Sequence, residues 1–180
     1  VSELYKHKSI KTGFVVLATE ANHGHVKTTV GSIKQNYPSS ASLVVAPSHA
    51  RASDLAEMAR FTTAIRGGDT ITSLINLGMK ETTCEEWNFI VMAGGWVRPL
   101  LDRKYGYFIE NDQDILFPII NRQMNFIDAT INGILVHKKT FQAIGPLDEK
   151  CPIDVCKLFW AMNAADKGCR FKAVLGTRVC

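Results

Sequence analysis

Apolar residues along this chain fall into short continuous runs, separated by stretches in which they recur every three or four positions. Gly13-Phe14-Val15-Val16-Leu17-Ala18 is continuous and rich in β-branched and aromatic side chains, the pattern of a strand covered on both faces. From His25 onward Val26, Val30, Ile33 and Tyr37 keep helical spacing until Pro38 closes the segment. Ser42-Leu43-Val44-Val45-Ala46 repeats the strand pattern, and Leu55, Ala56, Met58 and Ala59 predict a helix with Ser53 as its candidate cap. Residues 62–65 predict a third short strand, and Ile71, Leu74 and Ile75 a helix ending near Gly78. Trp87-Asn88-Phe89-Ile90-Val91-Met92 predicts a central strand. Alternation of strand and helix in this order implies a parallel sheet.

Beyond Met92 the rhythm changes. Gly94-Gly95 breaks the strand, Pro99 can open a helix, and apolar runs follow at 107–109 and 115–120. Residues 131–136 predict a strand, 138–144 a short helix stopped by Gly145-Pro146, and 152–167 a longer helix. That last helix opens on Pro152, closes before Gly168 and carries Ile153, Cys156, Phe159, Trp160 and Asn163 along one face. Residues 170–175 predict the final strand.

Composition narrows the class. At 180 residues and 46% hydrophobic content the chain can bury one substantial core, and residues 1–180 are read as a single domain. The net charge of +4 comes without a basic run, which argues against a nucleic-acid partner. No apolar stretch approaches the roughly 20 residues that cross a bilayer. The start, Val1-Ser2-Glu3-Leu4-Tyr5-Lys6, lacks the apolar core of a signal peptide. The chain begins with Val and ends on Cys180, as a piece of a longer protein would. Five cysteines without a Cys-x-x-Cys pair predict reduced, mostly buried thiols and hence a cytoplasmic or otherwise reducing compartment.

Several polar clusters bear on chemistry. Glu110-Asn111-Asp112-Gln113-Asp114 contains an Asp-x-Asp, in which Asp112 and Asp114 could hold a metal; the competing reading is a solvated acidic turn. His23-Gly24-His25 beside Glu20 offers two imidazoles without a visible third ligand, and is read as a polar loop entering a helix. Gly67-Gly68-Asp69 reads as a turn. Trp96, just past the central strand, is the indole best placed to stack on a sugar ring, whereas Trp87 and Trp160 are expected in the core.

The order of these elements, with two stretches in particular, resembles the inverting nucleotide-sugar glycosyltransferases that include chitin, cellulose and hyaluronan synthases. Val15-Val16-Leu17-Ala18-Thr19 and a helix ending Ser32-Ile33-Lys34-Gln35-Asn36-Tyr37-Pro38 look like that family's first strand and its Ser-Ile-x-x-Gln helix. The run from Asn132-Gly133 through Ile144-Gly145-Pro146-Leu147-Asp148-Glu149 looks like its acceptor-side strand, short helix and Ile-Gly-x-x-Asp-Glu turn. The resemblance implies an α/β fold of GT-A type, with a mixed, mostly parallel sheet flanked by helices. It further implies residual nucleotide contact from Thr19, Glu20 and Asn22, substrate contact from Trp96, Gly133 and Glu149, and Asp154 as the base that takes the acceptor proton. An Asp in a first helical turn is equally favoured by the helix dipole alone.

The departures from the family are as informative. Ala46-Pro47 stands where an Asp usually contacts the uracil or ribose, and Met92-Ala93-Gly94-Gly95-Trp96 where Asp-x-Asp usually holds a divalent cation. Hard cations need oxygen ligands, which these side chains do not supply. Two readings follow. One is a glycosyltransferase moving a sugar from a UDP-sugar to a glycan hydroxyl, with Mn²⁺ or Mg²⁺ if active. The other is an inactive pseudoenzyme that binds a glycan or a protein partner.

Overall fold

The structure, a computed structural model, describes residues 10–119 and 131–175. The N-terminal run, Ile120 and Cys180 lie outside them. Among the described residues seven strands form one sheet: β1 (Thr12–Leu17), β2 (Ala41–Ala46), β3 (Thr63–Arg66), β4 (Trp87–Met92), β5 (Asp114–Pro118), β6 (Ile134–His137) and β7 (Arg170–Val174). Their order is β3-β2-β1-β4-β6-β5-β7. β3, β2, β1 and β4 run parallel, β6 is antiparallel to both β4 and β5, and β7 is parallel to β5. The expected mixed, mostly parallel sheet is therefore present.

Among the described residues six α-helices cover it: α1 (Val26–Asn36), α2 (Ala52–Ala59), α3 (Ile71–Glu81), α4 (Leu101–Gly106), α5 (Lys138–Ile144) and α6 (Ile153–Asp166). Alternation along each strand divides the core in two. Phe14 and Val16 of β1 point to the face covered by α1, α2 and α4, where they pack with Val30, Ile33, Met58 and Tyr105. Val15 and Leu17 point to the other face and pack among Leu74, Ile75 and Met79 of α3 and Phe141 and Trp160 of α5 and α6. All six residues of β1 are buried, as its continuous apolar run requires of a strand covered on both sides.

Five local expectations need correction. Ser53 does not cap α2; Arg51 is the cap residue, without a side-chain bond, and Ser53 lies inside the first turn. Gly78 does not end α3, which continues to Glu81; a Cβ at Gly78 would collide with Val15 of β1, so this glycine lets helix and sheet approach closely. β6 begins at Ile134 rather than 131, because Gly133 turns the chain at φ +96° just before it. α4 starts at Leu101, two residues after Pro99, behind Leu100 in the left-handed region at φ +64°. In α6 the buried positions are Cys156, Lys157, Trp160 and Ala164, whereas Phe159 faces outward. Trp87 and Trp160 are buried as expected. Of the described thiols, Cys84 and Cys156 are buried and Cys151 and Cys169 half-buried, all four unbridged. No described helix is long and apolar enough to cross a membrane.

Candidate functional site

In an open α/β sheet the crevice lies beyond the carboxyl ends of the strands, where the order reverses. Here β1 is that point: β2 and β3 lie to one side of it and β4 to the other. The loop after β1 closes on itself. Asn22 Oδ1 accepts the Thr19 N–H at 2.6 Å, and the N–H groups of Asn22 and His23 donate to the Thr19 carbonyl at 3.1 and 2.9 Å. Thr19 and Glu20 face a pocket of about 250 Å³, lined also by His23, Ala46, Pro47, His49, Arg51, Asp54 and Met58. Asn22, by contrast, spends its side chain inside the loop and does not line the pocket.

The loop after β2 is tied to that after β3. Ser48 donates its N–H to the Gly68 carbonyl at 2.9 Å and its hydroxyl to Asp69, and Arg66 Nη1 donates to the Ala50 carbonyl at 3.3 Å. Between them His49 stands with Nδ1 3.6 Å from Asp69 Oδ1 and Nε2 3.9 Å from Glu20 Oε2. The Ser48 hydroxyl and the His49 ring hold the Asp69 carboxyl below its ordinary range. His49, Arg51 and Asp54 escape sequence reasoning because they interrupt no apolar pattern. Their position just beyond a strand's carboxyl end was the available signal.

The end of β4 is fastened to α1. Thr29 Oγ1 accepts the Gly94 N–H at 2.9 Å and donates to the Gly95 carbonyl at 2.8 Å; Ser32 Oγ accepts the Val97 N–H at 2.9 Å. Asn36 and Tyr37 donate to the carbonyls of Val97 and Arg98, both at 2.8 Å, and the Tyr37 hydroxyl accepts the Leu101 N–H at 2.7 Å. Burial pushes Tyr37 up to about 12. Trp96 emerges from this clamped segment 43% exposed and does not line the pocket.

The other candidates lie apart. Asp114 is fully buried at the start of β5, the opposite end of the sheet, where it accepts N–H bonds from Glu110 and Asn111 at 2.6 and 3.1 Å. It also pairs with Arg170 at 3.0 Å and Lys172 at 3.1 Å. Asp112 stands 4.0 Å from His137 instead. The pair is neither beside the pocket nor, for Asp114, a solvated turn. Gly133 is a backbone pivot, donating to the Ile90 carbonyl at 2.7 Å and accepting from the Tyr105 hydroxyl at 2.7 Å. Glu149 accepts from Asn76 Nδ2 at 2.9 Å and lines a groove of about 510 Å³ between α3 and α5. Asp154 is exposed in the first turn of α6.

Several solved structures are similar to this chain in fold. A 4-diphosphocytidyl-2C-methyl-D-erythritol synthase matches with a TM-score of 0.59 at 14% identity, over 92% of this chain and 90% of that one. The fold is GT-A-like. A cytidylyltransferase from Leptospira borgpetersenii matches at 0.62 and 10% identity, over 94% of this chain and 78% of that one. TarS of S. aureus matches at 0.64 and 11% identity; the match covers 93% of this chain but 35% of TarS. No family model and no curated relative matches the sequence.

In the GT-A-like fold a divalent cation is expected at the end of β4. The residues here do not fit one. The segment offers no carboxylate, and the carbonyls of Gly95, Val97 and Arg98 already accept bonds from α1 and Tyr37. Among the described residues no three His, Cys, Asp or Glu side chains converge as a metal site would require.

Proposed function

We propose that this chain is a GT-A-like domain that binds the nucleotide part of a nucleotide-sugar in the β1–β2 pocket, without metal-assisted sugar transfer. The observation that carries this reading is the pairing of an open pocket beyond β1 and β2 with a β4 end whose backbone oxygens are committed to α1. The solved structure of a TarS fragment in complex with UDP, similar in fold at a TM-score of 0.58 and 12% identity, supports a pyrimidine nucleotide as the ligand class.

A second reading retains transfer. Asp154 is exposed at the head of α6, following the turn that contains Glu149, and one carboxylate suffices to take the acceptor's proton in an inverting displacement. One experiment separates the two. UDP and CDP at 100 times their Kd are expected to stabilise the chain by about 2.7 kcal/mol, equally with Mn²⁺ or EDTA, and UDP-sugars should release no UDP. Stabilisation that requires Mn²⁺ would overturn the metal-free reading. Sugar transfer by the wild-type chain that vanishes in Asp154→Asn would establish the second, and absence of binding by any nucleotide would end both.

A further inference from the structure

The pocket's floor of Ala46, Pro47, Ala50 and Met58 carries no side-chain donor, yet a nucleotide presents mainly acceptor oxygens. Donors must come from the walls. His23 has Nδ1 2.9 Å from the Glu20 carbonyl, and Arg51 is an exposed residue at the N-terminal cap of α2. His49 differs from both. It is carried by a loop fixed at Ser48 and Ala50 to the β3 side, and its side chain is 58% exposed at the pocket mouth. Its Nδ1 faces Asp69, itself fixed by the Ser48 hydroxyl, whereas its Nε2 faces Glu20, whose side chain is 86% exposed.

We propose that His49 is the recognition residue of this pocket, donating from Nε2 to an oxygen of a uridine or cytidine diphosphate, with Asp69 as its positioning residue. The inference rests on the nucleotide-binding reading and names the side chain of the pocket wall that meets the ligand. The ring is faced by Glu20 from the β1 loop and Asp69 from the β3 loop, and it shares the pocket with His23, Arg51 and Asp54. A carboxylate faces each ring nitrogen, so the ring is oriented by Asp69 and presents Nε2 to the pocket. Ligand arrival replaces Glu20 at Nε2 while Asp69 keeps the ring oriented, as carboxylate partners of functional histidines do.

The test is calorimetric titration of the wild-type chain, His49→Gln, His49→Ala, Asp69→Asn and the double variant His49→Ala/Asp69→Asn with UDP and with CDP, after melting curves establish that each unliganded variant is folded. His49→Ala should bind about tenfold more weakly, the loss expected for one charge-assisted hydrogen bond, and His49→Gln, whose amide keeps a donor, should recover part of that loss. Asp69→Asn should fall between wild type and His49→Ala and should cost nothing further on top of His49→Ala, because it acts through the ring. If wild type binds and His49→Ala matches it, the assignment of His49 fails while the nucleotide reading stands. If wild type binds neither nucleotide, the nucleotide reading itself fails.

Discussion

Asp114 is a carboxylate with no exposed surface, and its environment explains why it is charged there. Burial works to raise its pKa, but the N–H groups of Glu110 and Asn111 and the Lys172 ammonium outweigh that and hold it below the ordinary value. Arg170 bridges it to Glu110, which the same two cations also hold low. A carboxyl depressed in the folded state stabilises above its unfolded pKa and loses that contribution as pH falls through the folded value. Asp114→Asn should therefore cost roughly 2–4 kcal/mol at neutral pH, the lower end being favoured because Arg170 and Lys172 are part-exposed. The gap from wild type should narrow as the pH drops below the ordinary carboxylate range. Urea denaturation at pH 7 and at pH 3 reads both effects, and a difference that grows with acid would contradict this account. The sequence marks this Asp only as one of an acidic run, since its cationic partners lie some sixty residues away on β7.

At the scale of elements, β1, β2 and β4 are legible because a strand buried on both faces needs an unbroken apolar run, and few other elements produce one. What escapes the sequence is set by partners. Gly78 reads as a helix stop until Val15 is seen against it, and Phe159 reads as core until α6 is docked through Trp160 and Ala164. The pocket is half legible for the same reason: Thr19 and Glu20 follow a recognisable strand, but His49 matters through Asp69 and Glu20, which come from two other loops. The polar side of α1 is a comparable case. Thr29, Ser32 and Asn36 look like an ordinary helix flank, yet with Tyr37 at the helix end they bind the backbone of the segment following β4. Thr29→Val keeps the shape and leaves the Gly94 N–H and Gly95 carbonyl without that partner, at an expected cost of about 1–3 kcal/mol. Amide hydrogen exchange at Gly94 should quicken while that in β1 follows only the global loss. Unchanged exchange at Gly94 would mean the clamp is not held by this hydroxyl.

The whole molecule is three layers in which the two apolar clusters meet on a shared sheet, so neither can open alone without exposing the reverse side of the same strands. Phe14 and Val15 are adjacent residues belonging to opposite clusters, as are Val44 and Val45, and Phe89 and Ile90. Losing α3 and α6 would leave Val15, Val45 and Ile90 in water while Phe14, Val44 and Phe89 stayed packed, a state that gives up much apolar burial for the chain entropy of two helices. Unfolding is accordingly expected to be one cooperative event. The tryptophans make this measurable: Trp87 reports the face beneath α1 and α4, Trp160 the face beneath α6, and exposed Trp96 can be replaced by Phe in both reporters. With Trp87 alone or Trp160 alone, each against a tryptophan-free far-UV signal corrected for its own substitutions, fluorescence and circular dichroism midpoints in urea should coincide within each variant. A Trp160 midpoint that precedes the loss of helix and sheet signal would show that the α3–α6 layer detaches first, and the pocket beyond β1 and β2, which Asp54 and Met58 of α2 help to line, would then outlast it.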